Sequence, residues 1–260
     1  MKLNLNADLG ESFGPWPMGD DERLLAIVNS ANVACGFHAG DPLVMRATIQ
    51  EAKRQGVSIG AHPGFPDLQG FGRRQMQMTP DELHAAVLYQ LAALGGMCTA
   101  AGIKMTHVKP HGALNNMACE DINMSTTICD AIRAFNEDLI LLAPVLSELA
   151  RAGESAGLCI GLEIFADRTY TDTGSLTPRR LPGSVISSSD ECIKHVGKMI
   201  EAGGVVSTSG KVLKTPFHSI CVHGDNAHAV DTAKALLLAL QAQGHKFMTC
   251  LLYTSPSPRD

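Results

Sequence analysis

Apolar and polar positions alternate in short bursts along this chain, and most bursts give way to a longer stretch with helical spacing. Strand-like runs fall near 3–8, 31–36, 57–61, 104–109, 139–143, 158–165, 218–222 and 246–250, so the predicted order is β-α-β-α throughout. Two helix starts are sharply marked. Asp41-Pro42 offers an N-cap followed by proline in the first turn, and Thr79-Pro80-Asp81-Glu82 adds the glutamate of a capping box. From there Leu83, Ala86, Val87, Gln90, Leu91 and Leu94 share one helix face, a mostly apolar stripe suited to packing on a sheet. Ala229, Ala233, Leu236, Leu237 and Leu240 repeat that pattern, and Gly244 supplies a stop.

Six of the strand-like runs end in polar clusters. These are Asn6 to Glu11, Cys35 to Asp41, Gly60 to Gly64, His107 to Gly112, Glu163 to Arg168, and Cys221 to Asp225. A β/α barrel gathers one active site from the C-terminal ends of successive strands, whereas an open doubly wound sheet concentrates its site at one switch point. The spread of the clusters therefore predicts an α/β chain folded as a TIM-like barrel, and an enzyme.

Composition narrows the partners. The 260 residues suit one barrel domain, expected over 1–249, since such barrels take roughly 250 residues. A net charge of -5 and no basic run argue against a nucleic-acid surface and for a small polar metabolite. The start Met-Lys-Leu-Asn-Leu-Asn reads as a strand rather than a signal peptide, and no run reaches the ~18 apolar residues of a membrane span. Eight scattered cysteines without a CxxC pair suit reduced thiols, so a cytoplasmic location is expected. Residues 250–260 break the α/β pattern and resemble an in-frame translation of a sequencing-library adapter. They are expected to be a non-native read-through or, alternatively, a disordered Ser/Pro-rich tail.

Two motif matches fail on physical grounds. Gly10-Glu11-Ser12-Phe13-Gly14 fits the G-x-S-x-G elbow formally, but Pro15 and Pro17 follow where a helix is required. Gly204 to Lys211 approximates a phosphate loop with its glycines one residue too far apart, and Val212 stands where a Ser or Thr must reach Mg²⁺. The long connections Gly64 to Pro80 and Ala166 to Asp190 carry Arg73, Arg74, Arg168, Arg179 and Arg180, which favour recognition of a carboxylate or phosphate.

Strand periodicity places His107, Lys109 and His111 on one face, so that two imidazoles and an ammonium converge at the barrel mouth. Lys109 can neutralise an anionic oxygen, act as a base if burial lowers its pKa, or pair with a carboxylate such as Asp8. His38, His62, His111 and His223, with Asp8 or Asp225, are suitable ligands for a hydrolytic Zn²⁺. No HxxxH or HExxH spacing fixes two of them on one element, so the sequence leaves a metal open beside simple acid/base roles.

The segments LNADLGESFG, SANVACGFHAGDP, IGAHPGFPDLQGFGRR, HVKPHGALNN, FADRTY and CVHGD resemble the motifs of the lactam-utilisation family, whose members belong to bacterial ATP-dependent 5-oxoprolinase. One departure is visible: Asn115 stands where the family usually has tyrosine. The resemblance implies a distorted (β/α) TIM-like barrel of about seven parallel strands, related to the glycoside-hydrolase and deacetylase type. It implies opening of 5-oxo-L-proline to L-glutamate, with ATP and Mg²⁺ as co-substrate and two further subunits, B and C, as partners. On that footing Asp8 or Glu11, with His62 or His111, is expected to activate water. Lys109 would stabilise the oxyanion or phosphoryl group, and His38 would donate a proton. Asn6 and His223 join Arg73 and Arg168 on the substrate, with Asp225 orienting His223. The rival readings are a metal-dependent deacetylase or amidohydrolase on the same barrel, and a substrate-binding subunit without catalysis.

Overall fold

The computed structural model describes residues 1–223 and 229–249. In its first half the chain runs β1 (Lys2–Leu9), α1 (Asp21–Leu25), β2 (Ser30–Ala34), α2 (Pro42–Gln55), β3 (Ser58–His62), α3 (Pro80–Ala100), β4 (Met105–Val108), α4 (Gly112–Ala118) and α5 (Ile122–Phe135). It continues with β5 (Ile140–Pro144), α6 (Glu148–Ser155), β6 (Cys159–Phe165), α7 (Ser189–Ala202), β7 (Gly204–Val206), β8 (Val212–Lys214), β9 (Ser219–Val222), α8 (Ala229–Ala242) and β10 (Lys246–Phe247). Among the described residues, β1 to β6 and β9 pair in parallel in that order, and β9 returns to β1, closing a seven-stranded barrel. The short β10 adds to the first residues of β1.

The closing registers explain why the strands alternate. Residues Leu3, Leu5, Ala7 and Leu9 of β1 are at most 1% exposed and join the apolar cluster, while the intervening Asn4, Asn6 and Asp8 are buried too. One set packs outward on the helices and the other fills the lumen. Asn4 Nδ2 donates to Ser30 Oγ at 2.8 Å and Ser219 Oγ donates to Asn4 Oδ1 at 2.7 Å, so the lowest polar layer satisfies itself. Above it, Asn32 Nδ2 donates to Asn6 Oδ1 at 2.8 Å, and His107 Nε2 donates to Asn32 Oδ1 at 2.9 Å. Gly60 belongs to this layer because a Cβ there would clash with the His107 ring.

The predicted caps form. Asp41 Oδ1 accepts from the backbone of Leu43 and Val44, and Thr79 and Glu82 complete the capping box. Helix α3 is 21 residues long and apolar enough by length and composition to cross a membrane, yet Leu83, Val87, Leu91 and Leu94 are buried, and the helix packs on α5 and the sheet. Its one polar buried residue, Gln90, clamps the chain beyond β3: Oε1 accepts from Gly64 N at 2.9 Å, and Nε2 donates to Gly64 O at 3.0 Å. The failed phosphate loop is the turn of the antiparallel hairpin β7–β8, and the failed elbow is a tight turn bridging Phe13 and Trp16.

Candidate active site

Lys109 leaves the end of β4 and crosses the lumen. Its Nζ donates to Asp8 Oδ1 at 2.9 Å, Asn6 Oδ1 at 3.3 Å and Cys221 Sγ at 3.0 Å, and lies 3.4 Å from Glu163 Oε2. Four strands thus converge on one ammonium. Burial pulls the Lys109 pKa down, but Asp8, Cys221 and Glu163 around it outweigh burial and hold it well above the ordinary lysine value. That shift runs against the reading of Lys109 as a base, which needed a lowered pKa. Burial also pushes the two carboxyls up. Asp8 ends well below the usual carboxylate range because His62 and Lys109 overcome burial, while Glu163 stays raised despite Lys109. The ammonium therefore favours the charged form of Asp8 more than that of Glu163.

A second group lies beside this one. His62 Nδ1 donates to Lys109 O at 2.6 Å, and its Nε2 is 3.4 Å from Asp8 Oδ2 and 2.9 Å from His111 Nδ1. His111 Nε2 donates to Phe71 O at 2.8 Å. His38 stacks on His111 with centroids 3.7 Å apart and planes at 4°. Its Nε2 is 3.6 Å from Glu11 Oε1, which in turn is 3.7 Å from His111 Nδ1. Burial, then the neighbouring imidazoles, push His38 and His111 well below the ordinary histidine range. The donor atoms of Glu11, His38, His62 and His111 lie within 4.8 Å of one another, so these four could hold a metal, and Asp8, Cys221 and His223 form a second such group. His223, also expected as a ligand, belongs to the second group rather than to the histidine cluster.

Local backbone brings these rings together. Gly64 and Gly72 press against them: a Cβ on Gly64 would lie 2.6 Å from His38 Nδ1, and one on Gly72 2.7 Å from His38 Cβ. Phe71 adopts φ 54°, an unusual value for a residue with a side chain, and its carbonyl is the one that receives His111. His111 itself is the N-cap residue of α4, displaced from the strand by Pro110. Its position on one strand face with His107 and Lys109 is therefore corrected. His107 lies deeper, pushed down to about 3 by burial and then by Lys109, and serves the lumen network.

Above both groups opens a cavity of about 480 Å³. Asp8, His62, Lys109 and His111 line its floor, Arg73, Arg168, Arg179 and Arg180 its cationic rim, and Asn115 its wall. Glu11 and His38 sit behind the floor, and Asn6 below it holds Lys109 rather than facing the cavity. Arg168 Nη2 donates to Thr177 O at 2.6 Å and its Nε to Ser184 O at 3.2 Å, so it also ties down the long loop. Arg74 is absorbed by an ion pair with Asp67. His223 Nδ1 lies 2.8 Å from both oxygens of Asp167; Asp225, expected to orient His223, lies outside the described residues, as do 250–260. Glu163, Asp167 and Cys221 were visible in the strand-end clusters, but nothing in their spacing marked them as contacts of Lys109 or His223.

The sequence and fold have known counterparts. The pattern of the LamB/YcsF family matches residues 3–252. A protein of Azoarcus sp. (strain BH72) described as the A-type subunit of 5-oxoprolinase is 61% identical over 244 residues, spanning 94% of this chain and 95% of that relative. The crystal structure of a lactam utilization protein from Thermus thermophilus is similar at TM-score 0.90 and 40% identity, covering 96% of this chain and 100% of that one. The catalytic domain of a peptidoglycan N-acetylglucosamine deacetylase from Eubacterium rectale shares the fold at TM-score 0.53 and 11% identity, covering 100% of this chain and 92% of that one.

Proposed function

Because this chain belongs to the LamB/YcsF family, we propose that it is the ring-opening subunit of an ATP-dependent 5-oxoprolinase, converting 5-oxo-L-proline to L-glutamate as ATP is hydrolysed. The observation that carries this reading is an ionised Asp8–Lys109 pair at the floor of a small cavity with an arginine rim. A lactam is a poor electrophile, and this one carries a free carboxylate. The rim suits the carboxylate, with Arg73 the residue assigned to it, and the ammonium suits the oxygen on which negative charge develops. Asp8 Oδ1 is engaged by Lys109 and Asn32, which leaves Oδ2 to accept a proton from the attacking water. Glu163, whose Oε2 lies 3.4 Å from Lys109 Nζ and accepts from Asn6, keeps the ammonium aimed.

ATP with Mg²⁺ is assigned to the assembled complex with the two partner subunits, B and C, in the cytoplasm, since no phosphate loop lies among the described residues. Phosphorylation of the lactam oxygen would make the ring carbon electrophilic, with Lys109 neutralising the phosphoryl oxygens; water adds to that carbon, the C–N bond breaks as the departing amine takes up a proton, and a second water releases phosphate from the resulting acyl phosphate. The reading is tested by measuring glutamate and phosphate release from the reconstituted complex with the native chain, Asp8→Asn and Lys109→Met. Loss of glutamate formation by at least about a hundredfold in each variant is expected. Near-native turnover by either would remove that residue from the chemistry, and a complex equally active without this chain would refute the assignment.

A further inference from the structure

The imidazoles beside the cavity carry too few protons for the contacts they make. Carbonyl oxygens only accept, so His62 Nδ1, 2.6 Å from Lys109 O, and His111 Nε2, 2.8 Å from Phe71 O, both bear hydrogen. Each ring, if neutral, then has a bare lone pair on its other nitrogen. Those two atoms, His62 Nε2 and His111 Nδ1, face each other at 2.9 Å. Two lone pairs at that separation repel, and the arrangement calls for a cation. A shared proton would answer for this pair, but it leaves His38 unexplained. That ring is 0% exposed, and neither of its nitrogens has a hydrogen-bond partner among the described residues. An imidazole buried without partners costs roughly 1–3 kcal/mol, unless something absent from the protein chain satisfies it.

We propose that Glu11, His38, His62 and His111 form a binding site for one divalent cation with a preference for nitrogen, Zn²⁺ or a close chemical relative. Three neutral imidazoles and one carboxylate are the donor set such an ion takes. The carbonyls of Lys109 and Phe71 act as the outer partners that fix which nitrogen of His62 and His111 is bare, the usual support of a ligating histidine. Stacked rings cannot both aim in-plane at one ion, so ligation requires one of them to turn. His38, with no hydrogen bond to break, is the one that turns. The other grouping of donors, Asp8, Cys221 and His223, is not proposed as a site because the Lys109 ammonium already lies 2.9 Å from Asp8 and 3.0 Å from Cys221. The cation would sit in the cavity wall beside Asp8, with His62 and His111 between it and the open space.

Cation binding does not depend on the lactam reading, and its test needs no turnover. The full-length chain, stripped with chelator and exchanged into metal-free buffer, is titrated with Co²⁺ by calorimetry and visible spectroscopy. Expected are about one equivalent bound, d–d absorption typical of a nitrogen-rich site of low coordination number, bleaching when Zn²⁺ displaces Co²⁺, and a rise in Tm on loading. His38→Ala and His111→Ala should each weaken binding by at least about tenfold, as should the near-isosteric Glu11→Gln, while His84→Ala on α3 should not. Folding of each variant is checked by circular dichroism, and Glu11→Gln carries the test if a histidine variant unfolds. Binding far below one equivalent in the native chain overturns the proposal and leaves the shared proton as the cation. So does one-equivalent binding that survives in the folded variants.

Discussion

Lys109→Met removes a charge while keeping most of the volume, and its effect follows from the distances. At 2.9 Å and an effective dielectric of about 20, the attraction between Lys109 Nζ and Asp8 Oδ1 is about 6 kcal/mol. Part of this is offset because the variant no longer strips water from an ammonium. Asp8, however, stays where it is, buried beside Glu163, with only His62 and Asn32 left to support its charge. Breaking one side of a buried pair typically costs about 3–5 kcal/mol, so that is the expected loss, equivalent to a fall in Tm of roughly 6–20 °C for a chain of this size. The assay is urea unfolding, read as a lower midpoint with unchanged slope. Adding Asp8→Asn removes the stranded charge, so the double variant should regain part of the stability lost in Lys109→Met while remaining inactive. The cycle should then give a coupling of up to about 3 kcal/mol. A single variant within about 1 kcal/mol of native, or a double variant whose loss is the plain sum of the two singles, would refute the ionised-pair account.

Three further outcomes are expected. Gly60→Ala forces the His107 ring out of its layer and should destabilise by about 1–3 kcal/mol in the same urea assay; a neutral result would contradict the packed lumen. Arg73→Ala should raise KM several-fold with kcat nearly unchanged, and a fall in kcat alone would count against a binding role. Burial pushes Asp167 up, but His223, with Arg179 and Arg168, outweighs it and depresses the carboxyl. A depressed folded pKa gives stability that is complete above the unfolded value of about 3.9 and lost as pH falls through the folded one. Asp167→Asn should therefore flatten the acid limb of a Tm-against-pH curve below about pH 4, and an unchanged limb would disprove the pairing.

Much of the frame was legible in the chain because its signals are local. Proline at the first helical position, the Thr79–Glu82 box and the strand-end polar clusters all act over a few residues, and the barrel was inferred from where the clusters fall. Other features depend on closure. Asn6 meets Ser219 at 2.8 Å across 213 residues, and no local period announces that contact. The alternation in β1 looks like a strand with one wet face, whereas both faces are buried and only ring closure reveals it. His111 left the strand because proline precedes it, and it then found His62 and Phe71. Glu163 and Asp167 sat in a visible cluster, but which carboxylate serves which cation is decided by barrel register.

The two-sided burial of the strands separates foldability from reactivity. Outside the sheet, leucines, valines and isoleucines against the helices supply most of the apolar burial. Inside, much of the lumen is held by short polar side chains that mainly satisfy one another. Selection can therefore rewrite the inner column, provided each new polar group finds a partner, without disturbing the sleeve that keeps the ring closed. Such a scaffold is permissive toward new chemistry and strict about hydrogen-bond matching, so its tolerated substitutions inside the ring should come in compensating pairs rather than singly.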